Sequence, residues 1–581
     1  MYFAAWNPLR PSALLLALFA QESAPAFDLS GLWKSEAVFG PEVRGPLVVR
    51  KIGDELWAEI QGHTAEVDAA ADELHFELPG RRGSFSGWRE GSDYTGFWVQ
   101  PPGRIGSEGF ATPVTLRAAG DSTWSGDVEP LDERLSLYFE FVEVGDELHA
   151  RFRNPERNLG IAYDLGRVSR RGRDLSLFNS DGSEVLLHGR VSESGARWTL
   201  DLERSGLTFE FVPASRDSAT GYFPADENRT PYRYRVPLAG ADGWPVAEPA
   251  DVGMRVAMLE ALVQSVLDTR YEARSTPYIQ SLQVARHGSL VLDEYFHGFH
   301  RDRPRDTRSS TKTLTAMLTG IAIDQGHELS VEMSVLDVLA DLGEVQNVDD
   351  RKRALTVEHL LSMTSGFDCD DDDTQTPGNE GRMQEQREEL DWVRYALDLP
   401  MVREPGERAV YCTAGINLLG GVIESATGQE LGAFFAKSYA RPLQIERYHL
   451  NLDPTGRPYM GGGMRLRPRD HLKLGQLLVD RGRWQGERIV SSSWIERMSA
   501  GHATVYAADD YGYGVWRTDL EFEGQPFEVV YASGNGGQLV IAVPSLDLVV
   551  LFSAGNYMNF PTWISFLRDL VPSYVLPAIE E

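Results

Sequence analysis

The chain has 581 residues, well past the roughly 250–300 at which one hydrophobic core stops growing, so at least two domains are expected. A hydrophobic share of 42% with 24% charged residues is the balance of a soluble globular protein. The 86 Asp and Glu against 56 Lys and Arg leave a net charge of −30, a field that repels nucleic acid and anionic membrane surfaces and favours a small or neutral partner.

Residues 1–26 read as an export signal. Arg10 precedes an apolar run from Ala13 to Ala20, and Ala24 and Ala26 follow in a cleavage-like pattern. The run is too short to span a bilayer, and no cysteine lies nearby to take a lipid anchor. A secreted or periplasmic location is therefore expected, a wrongly assigned start being the alternative. Residues 27–215 alternate apolar and polar side chains in short runs broken by Gly, Asp and Asn, which predicts an antiparallel β barrel or sandwich. Within this stretch Gly53-Asp54-Glu55-Leu56-Trp57-Ala58 returns as Gly145-Asp146-Glu147-Leu148-His149-Ala150. Two similar hairpin turns and a true internal repeat both account for the echo. Residues 216–243, with Pro224, Pro231 and Pro237, read as a linker; the Asn228-Arg229-Thr230 sequon there is too common a triplet to carry weight.

The remainder, 244–581, opens with a helical stripe at Leu259, Leu262 and Val266. Two strands follow, turning at His287-Gly288. A second apolar stripe at Leu314, Met317, Leu318 and Ile321 predicts a buried helix ending near Gly326. Its start is the box Ser309-Ser310-Thr311-Lys312. Helix and loop dominate to about Gly482, with Thr356 as an N-cap and Gly428 closing a helix that carries Ile416, Leu419 and Ile423. Strands return at Val529–Tyr531, Leu539–Val543 and Leu548–Phe552. A helix bearing Trp563, Leu567, Leu570 and Val571 closes the chain, so the two ends of this domain are expected to share one sheet.

Three residues of helical separation put the Ser309 hydroxyl and the Lys312 amine on one face, where a desolvated, neutral lysine can take the serine proton. The helix N-terminus adds a positive dipole end for a developing oxyanion. Two further segments join this box: Tyr411-Cys412-Thr413 after Pro405-Gly406, and Ala532-Ser533-Gly534-Asn535-Gly536-Gly537-Gln538 between two C-terminal strands. The two cysteines of the chain, Cys369 and Cys412, flank these loops. Export would let them pair, two buried free thiols being the alternative.

In order and context these segments, with Leu361-Ser362-Met363-Thr364-Ser365-Gly366 and Gly461-Gly462-Gly463-Met464-Arg465-Leu466-Arg467, resemble the class C β-lactamase-related serine hydrolases. The 6-aminohexanoate-dimer hydrolase branch is the nearest in pattern. The resemblance implies an antiparallel sheet flanked by helices, a helical subdomain and a cleft site. It makes Ser309 the acyl-accepting nucleophile, Lys312 its general base and Tyr411 the phenol that passes a proton to the leaving group. The backbone N–H groups of Ser309 and Asn535 would form the oxyanion hole.

Two departures from the family pattern concern substrate. Thr413 stands where Asn is usual, and Ala532 where a cation normally meets a substrate carboxylate. Arg465 or Arg467 is a possible replacement cation, and Ser533, Gly534, Trp516 and Tyr513 are pocket candidates. His297 and His300 lack zinc-like spacing. The run Asp368, Asp370, Asp371, Asp372 and Asp373 is expected to be a solvated lip of the cleft.

The expected activity is that of an exported serine hydrolase, free of metal and cofactor, cleaving a small ester or amide, with esters ahead of lactams. A D-amino-acid peptidase or β-lactamase, a non-catalytic binder on the same fold, and a lipid- or glycan-binding role for the β domain are the alternatives.

Overall fold

The computed structural model describes residues 28–103, 109–156, 163–202, 206–225, 231–506 and 509–580. The leader at 1–26 and the sequon at Asn228 lie outside them. Among the described residues, no helix is long and apolar enough to cross a membrane.

Among the described residues, sixteen antiparallel strands fill the N-terminal part. They are β1 (Gly31–Phe39), β2 (Gly45–Ile52), β3 (Glu55–Ile60), β4 (His63–Ala70), β5 (Glu73–Glu77), β6 (Ser84–Glu90), β7 (Asp93–Gln100) and β8 (Phe110–Gly120). Then come β9 (Thr123–Val128), β10 (Glu133–Val144), β11 (Glu147–Arg153), β12 (Leu165–Arg171), β13 (Asp174–Asn179), β14 (Val185–Val191), β15 (Trp198–Leu202) and β16 (Leu207–Pro213).

The expected antiparallel barrel is present, as two eight-stranded rings. β2 to β8 form the first, closed by β9, which pairs with both β2 and β8. β10 to β16 form the second, closed by β1, which pairs with both β10 and β16. The chain therefore reads as two successive eight-strand units that have exchanged their first strands. The echoed hexapeptides occupy the same hairpin of each ring, β2–β3 and β10–β11. In both, the glycine takes a positive φ, 66° at Gly53 and 64° at Gly145, which a two-residue loop needs at that point. Shared position in matched topologies decides for a repeat over coincidence.

Eight strands enclose just enough space for side chains, and both rings use it so. The first is filled by residues such as Leu47, Phe76, Phe85, Trp98 and Leu116, the second by Trp33, Phe139, Phe141, Trp198 and Phe211. In the second, Trp198 stacks on Phe211 with centroids 4.1 Å apart.

The C-terminal domain is built on an eight-stranded antiparallel sheet. β17 (Ile279–Arg286) and β18 (Ser289–Tyr295) join strands from the far end of the chain. Between the halves come β19 (Arg305–Asp306), β20 (Tyr448–Asn451), β21 (Met464–Leu466) and a small hairpin of β22 (Arg483–Trp484) and β23 (Glu487–Arg488). The sheet is completed by β24 (Ala503–Tyr506), β25 (Asp509–Tyr511), β26 (Trp516–Phe522), β27 (Gln525–Gly534), β28 (Gln538–Val543) and β29 (Leu548–Ala554). β17 pairs with β29, so both ends of the domain meet in one sheet. β28 and β29 are buried along their whole length, as strands covered on both faces must be.

The two domains share main chain. β8 of the first ring pairs with β20, β20 with β21, and β21 with β19, so a ladder runs from the ring to Asp306, three residues before Ser309. The second ring docks through Arg153, whose buried guanidinium lies over the rings of Tyr271 and Tyr278 at 4.1 and 3.9 Å and donates to the Tyr222 carbonyl.

Candidate active site

Ser309 lies in one tight turn, Arg308–Ser310, that runs straight into the helix Thr311–Asp324. The turn is held by Asp306, which accepts from the Arg308 N–H at 3.1 Å, and Arg308 itself takes φ 51°. The helix is wedged in the interior, with every residue from Thr311 to Ala322 buried. Lys312 is 1% exposed, while Ser309 and Tyr411 keep partial exposure. The Lys312 Nζ reaches the Ser309 Oγ at 2.9 Å and the Gly461 carbonyl at 2.7 Å. Burial pulls the amine's pKa below its ordinary value, opposed by the carboxylates of Glu380 and Asp371.

Tyr411 completes the trio. Its phenol lies beside the Ser309 hydroxyl, and its ring centroid is 5.0 Å from the Lys312 amine. Desolvation raises the phenol's pKa, ahead of the opposing Ser309 bond, so Tyr411 holds its proton until a leaving group draws on it. Its ring packs near-parallel beside Trp516 and Tyr506, at 6.1 and 6.3 Å, and those two rings lie 5.7 Å from each other.

The acidic run corrects the expectation of a solvated lip. Asp372 and Asp373 are exposed, but Asp371 turns inward. Its Oδ2 accepts from the Thr413 N–H at 2.9 Å and the Thr413 hydroxyl at 2.5 Å, and its Oδ1 from the Glu380 N–H at 3.0 Å. Burial and then Glu380 push Asp371 up to about 6 against the pull of Lys312. Glu380 in turn accepts from the Tyr459 hydroxyl at 2.6 Å. Thr413 thus binds a carboxylate that faces the lysine, where the family pattern has an amide. Cys369 and Cys412 are joined, with Cα atoms 5.5 Å apart. The bond ties the Asp371 loop to the Tyr411-Thr413 loop and, closing 43 residues, is worth about 4 kcal/mol in a chain-entropy account.

The other candidates divide. Gly534 brings β27 against the nucleophile turn so closely that a Cβ would sit 2.3 Å from the Thr307 carbonyl, which requires glycine there. Asn535 lines the same cavity as Ser309, its side chain tied to the Met558 N–H at 2.6 Å. Ser533 is half-buried on β27, and Ala532 is fully buried and brings no polar group. Arg465 lines the cavity 3.7 Å from Asp306, which also meets Arg308 at 3.1 Å. Arg467 instead pairs with buried Asp470. Tyr513 stacks on His502 and donates to Glu358, which corrects its assignment to the pocket. His297 is buried against Tyr278, and among the described residues no group of three His, Cys, Asp or Glu is placed to hold a metal ion.

Sequence reasoning missed Glu380, Tyr459 and the Gly461 carbonyl. It also missed one wall of the site. The cavity at Ser309, about 160 Å³, is lined by Asn535, Tyr459, Glu380 and Arg465 together with Phe110 of β8, Glu133 of β10 and Glu156 just past β11. The glycine run at 461–463 was a hint for the first group; nothing local marks the second.

Residues 277–561 match the family model described as Beta-lactamase. A curated relative, the 6-aminohexanoate-dimer hydrolase of Paenarthrobacter ureafaciens, is 25% identical over 268 residues, covering 45% of this chain and 67% of its own. Among solved structures, a family VIII carboxylesterase is 17% identical with a TM-score of 0.43, over 57% of this chain and 98% of its own. Simvastatin synthase (LovD) from Aspergillus terreus is 18% identical with a TM-score of 0.42, over 57% and 98%.

Proposed function

We propose, for a chain whose residues 277–561 belong to the beta-lactamase-related serine hydrolase family, that Ser309 forms an acyl-enzyme with a small ester or linear amide, which water then releases. One observation carries this reading: a lysine amine, dry and depressed in pKa, sits 2.9 Å from the hydroxyl of a partly exposed serine. The neutral amine takes the Ser309 proton as Oγ attacks the carbonyl carbon. The oxyanion is met by the N–H groups of Ser309 and Asn535. Tyr411, which lies beside Ser309, gives its proton to the departing oxygen or nitrogen and is reprotonated by the Lys312 ammonium, which carries the proton taken from Ser309. Attack by water reverses the roles and frees the acid.

Substrate preference follows from what surrounds the trio. Ala532 offers no cation, and Arg465 and Arg308 both face Asp306, so a lactam or D-peptide carboxylate meets no dedicated partner. Esters are therefore placed ahead of lactams. The leader-like residues 1–26 and the Cys369–Cys412 bond support a secreted or periplasmic location.

The test is a panel of p-nitrophenyl acetate, 6-aminohexanoate dimer, a D-alanyl dipeptide and nitrocefin, run on the parent and on Ser309→Ala. Turnover of the ester above nitrocefin, lost in the variant, is expected. Efficient nitrocefin cleavage overturns the substrate argument, and no turnover of any compound overturns the enzymatic one.

A further inference from the structure

We infer that the alcohol released at Ser309 is a hydroxyl of a neutral carbohydrate, whose acylated sugar unit sits in the cavity at Ser309 and whose neighbouring units lie in the cleft between the rings and the catalytic domain. This rests on the hydrolase reading above and names the substrate class of that site.

The cavity at Ser309 is polar almost throughout. Phe110 is the one wholly apolar side chain in its lining, while Gln384 and Asn451 bring amides that both donate and accept. It adjoins a much larger cavity, about 1020 Å³, and Glu133, Glu156, Asp306 and Arg465 line both. The larger one is equally hydrophilic: its prolines, Leu131 and the rings of Tyr448 and Tyr557 apart, its lining residues are polar or glycine. An alkyl group entering between such walls would strip water from polar groups and return no hydrogen bond.

The charges at the junction of the two cavities answer one another. Glu156 pairs with Arg303 at 3.2 Å, and Asp306 meets Arg308 at 3.1 Å and Arg465 at 3.7 Å. Farther out, Arg447 pairs with Glu129. A carboxylate so neutralised still has lone pairs to offer, and a guanidinium has five N–H groups, more than one ion pair uses. What these walls present is therefore a dense set of donors and acceptors with little net charge between them. A ligand of one charge sign gains little from that. Hydroxyl groups, each a donor and an acceptor, match it on both counts. In the reaction, a bond forms between the acyl carbon and the Ser309 Oγ as the bond to the sugar oxygen breaks. That oxygen takes the Tyr411 proton, and water then releases the carboxylic acid.

The experiment measures acetate release from 6-O-acetylglucose and from hexyl acetate, which share an acyl group and a primary six-carbon alcohol and differ in the remaining hydroxyls. An acetylated cellotetraose is the third substrate and p-nitrophenyl acetate the fourth. The parent is expected to favour 6-O-acetylglucose over hexyl acetate by about tenfold or more in kcat/KM, as a site built to bind hydroxyls requires. Thr115→Trp places bulk at an exposed position of β8 that lines the cleft, and should lose about tenfold more on the tetraose ester than on the glucose ester. Unacylated cellotetraose should also inhibit hydrolysis of the tetraose ester competitively in the parent, a readout independent of how the variant folds. Hexyl acetate turned over as well as 6-O-acetylglucose, equal losses on the two sugar esters in the variant, or no inhibition overturns the carbohydrate assignment. A parent inert to p-nitrophenyl acetate as well overturns the hydrolase reading instead.

Discussion

The pocket under Tyr411 and the cleft beside β8 share Asp306 and Arg465, yet they are built in opposite ways. The pocket is small, and its working amine is sealed inside a helix that is buried from Thr311 to Ala322. Dryness shifts the lysine toward the neutral base that acyl transfer needs. The cleft is wide, charged and assembled from surfaces that only tertiary structure brings together. On the proposed reading, chemistry rests on a short, local motif and selection of the substrate on the meeting of two domains.

Damage to the pocket should be indifferent to substrate. Ser309→Ala and Lys312→Ala are each expected to lower kcat/KM by about a thousandfold or more on short and long esters alike, with unchanged far-ultraviolet circular dichroism. A loss confined to long substrates would erase the contrast between the two regions. Tyr411→Phe removes only the proton relay, so a fall in kcat of roughly 100- to 10,000-fold is expected, again on every substrate. Steady-state kinetics on p-nitrophenyl acetate and an unactivated amide measure it, the amide suffering more because its leaving group needs the proton.

Carboxylates near Lys312 sharpen the comparison by pH. Negative charge beside the amine favours its protonated form, so Glu380→Gln lowers the Lys312 pKa further and the acid limb of kcat/KM moves to lower pH. Asp371→Asn acts in the same sense and by less, because Glu380 is the stronger of the two influences. A limb that moves upward contradicts the assignment of Lys312 as base. Least consequential for turnover is the docking of the second ring at Arg153, away from Ser309. Arg153→Ala strips a buried cation from Tyr271 and Tyr278, and is expected to cost about 3 kcal/mol in thermal or urea unfolding while ester hydrolysis at low temperature stays near the parent's.

What was legible in the sequence follows the same division. Helical spacing alone placed Ser309 and Lys312 on one face, and the strand runs at both ends of the catalytic domain announced a shared sheet, because periodicity is a local property. The exchange of β1 and β9 was not legible: strands that alternate alike give no sign of which ring they close, and only the Gly53 and Gly145 hairpins hinted at two units. Asp371 looked like one more solvated aspartate in a run of five; its inward turn depends on Thr413, 42 residues on, and on the Cys369–Cys412 bond. Phe110 reaches the site through the pairing of β8 with β20, a register set across more than 300 residues, and Glu133 and Glu156 reach it from the second ring.

The most direct test of the central claim is the intact mass of the protein after exposure to a fluorophosphonate, which captures an activated serine without reference to substrate. One adduct per chain on the parent, mapped to Ser309 and absent from Ser309→Ala and Lys312→Ala, is the expected result. An unlabelled parent, or an adduct that survives in Ser309→Ala, contradicts it.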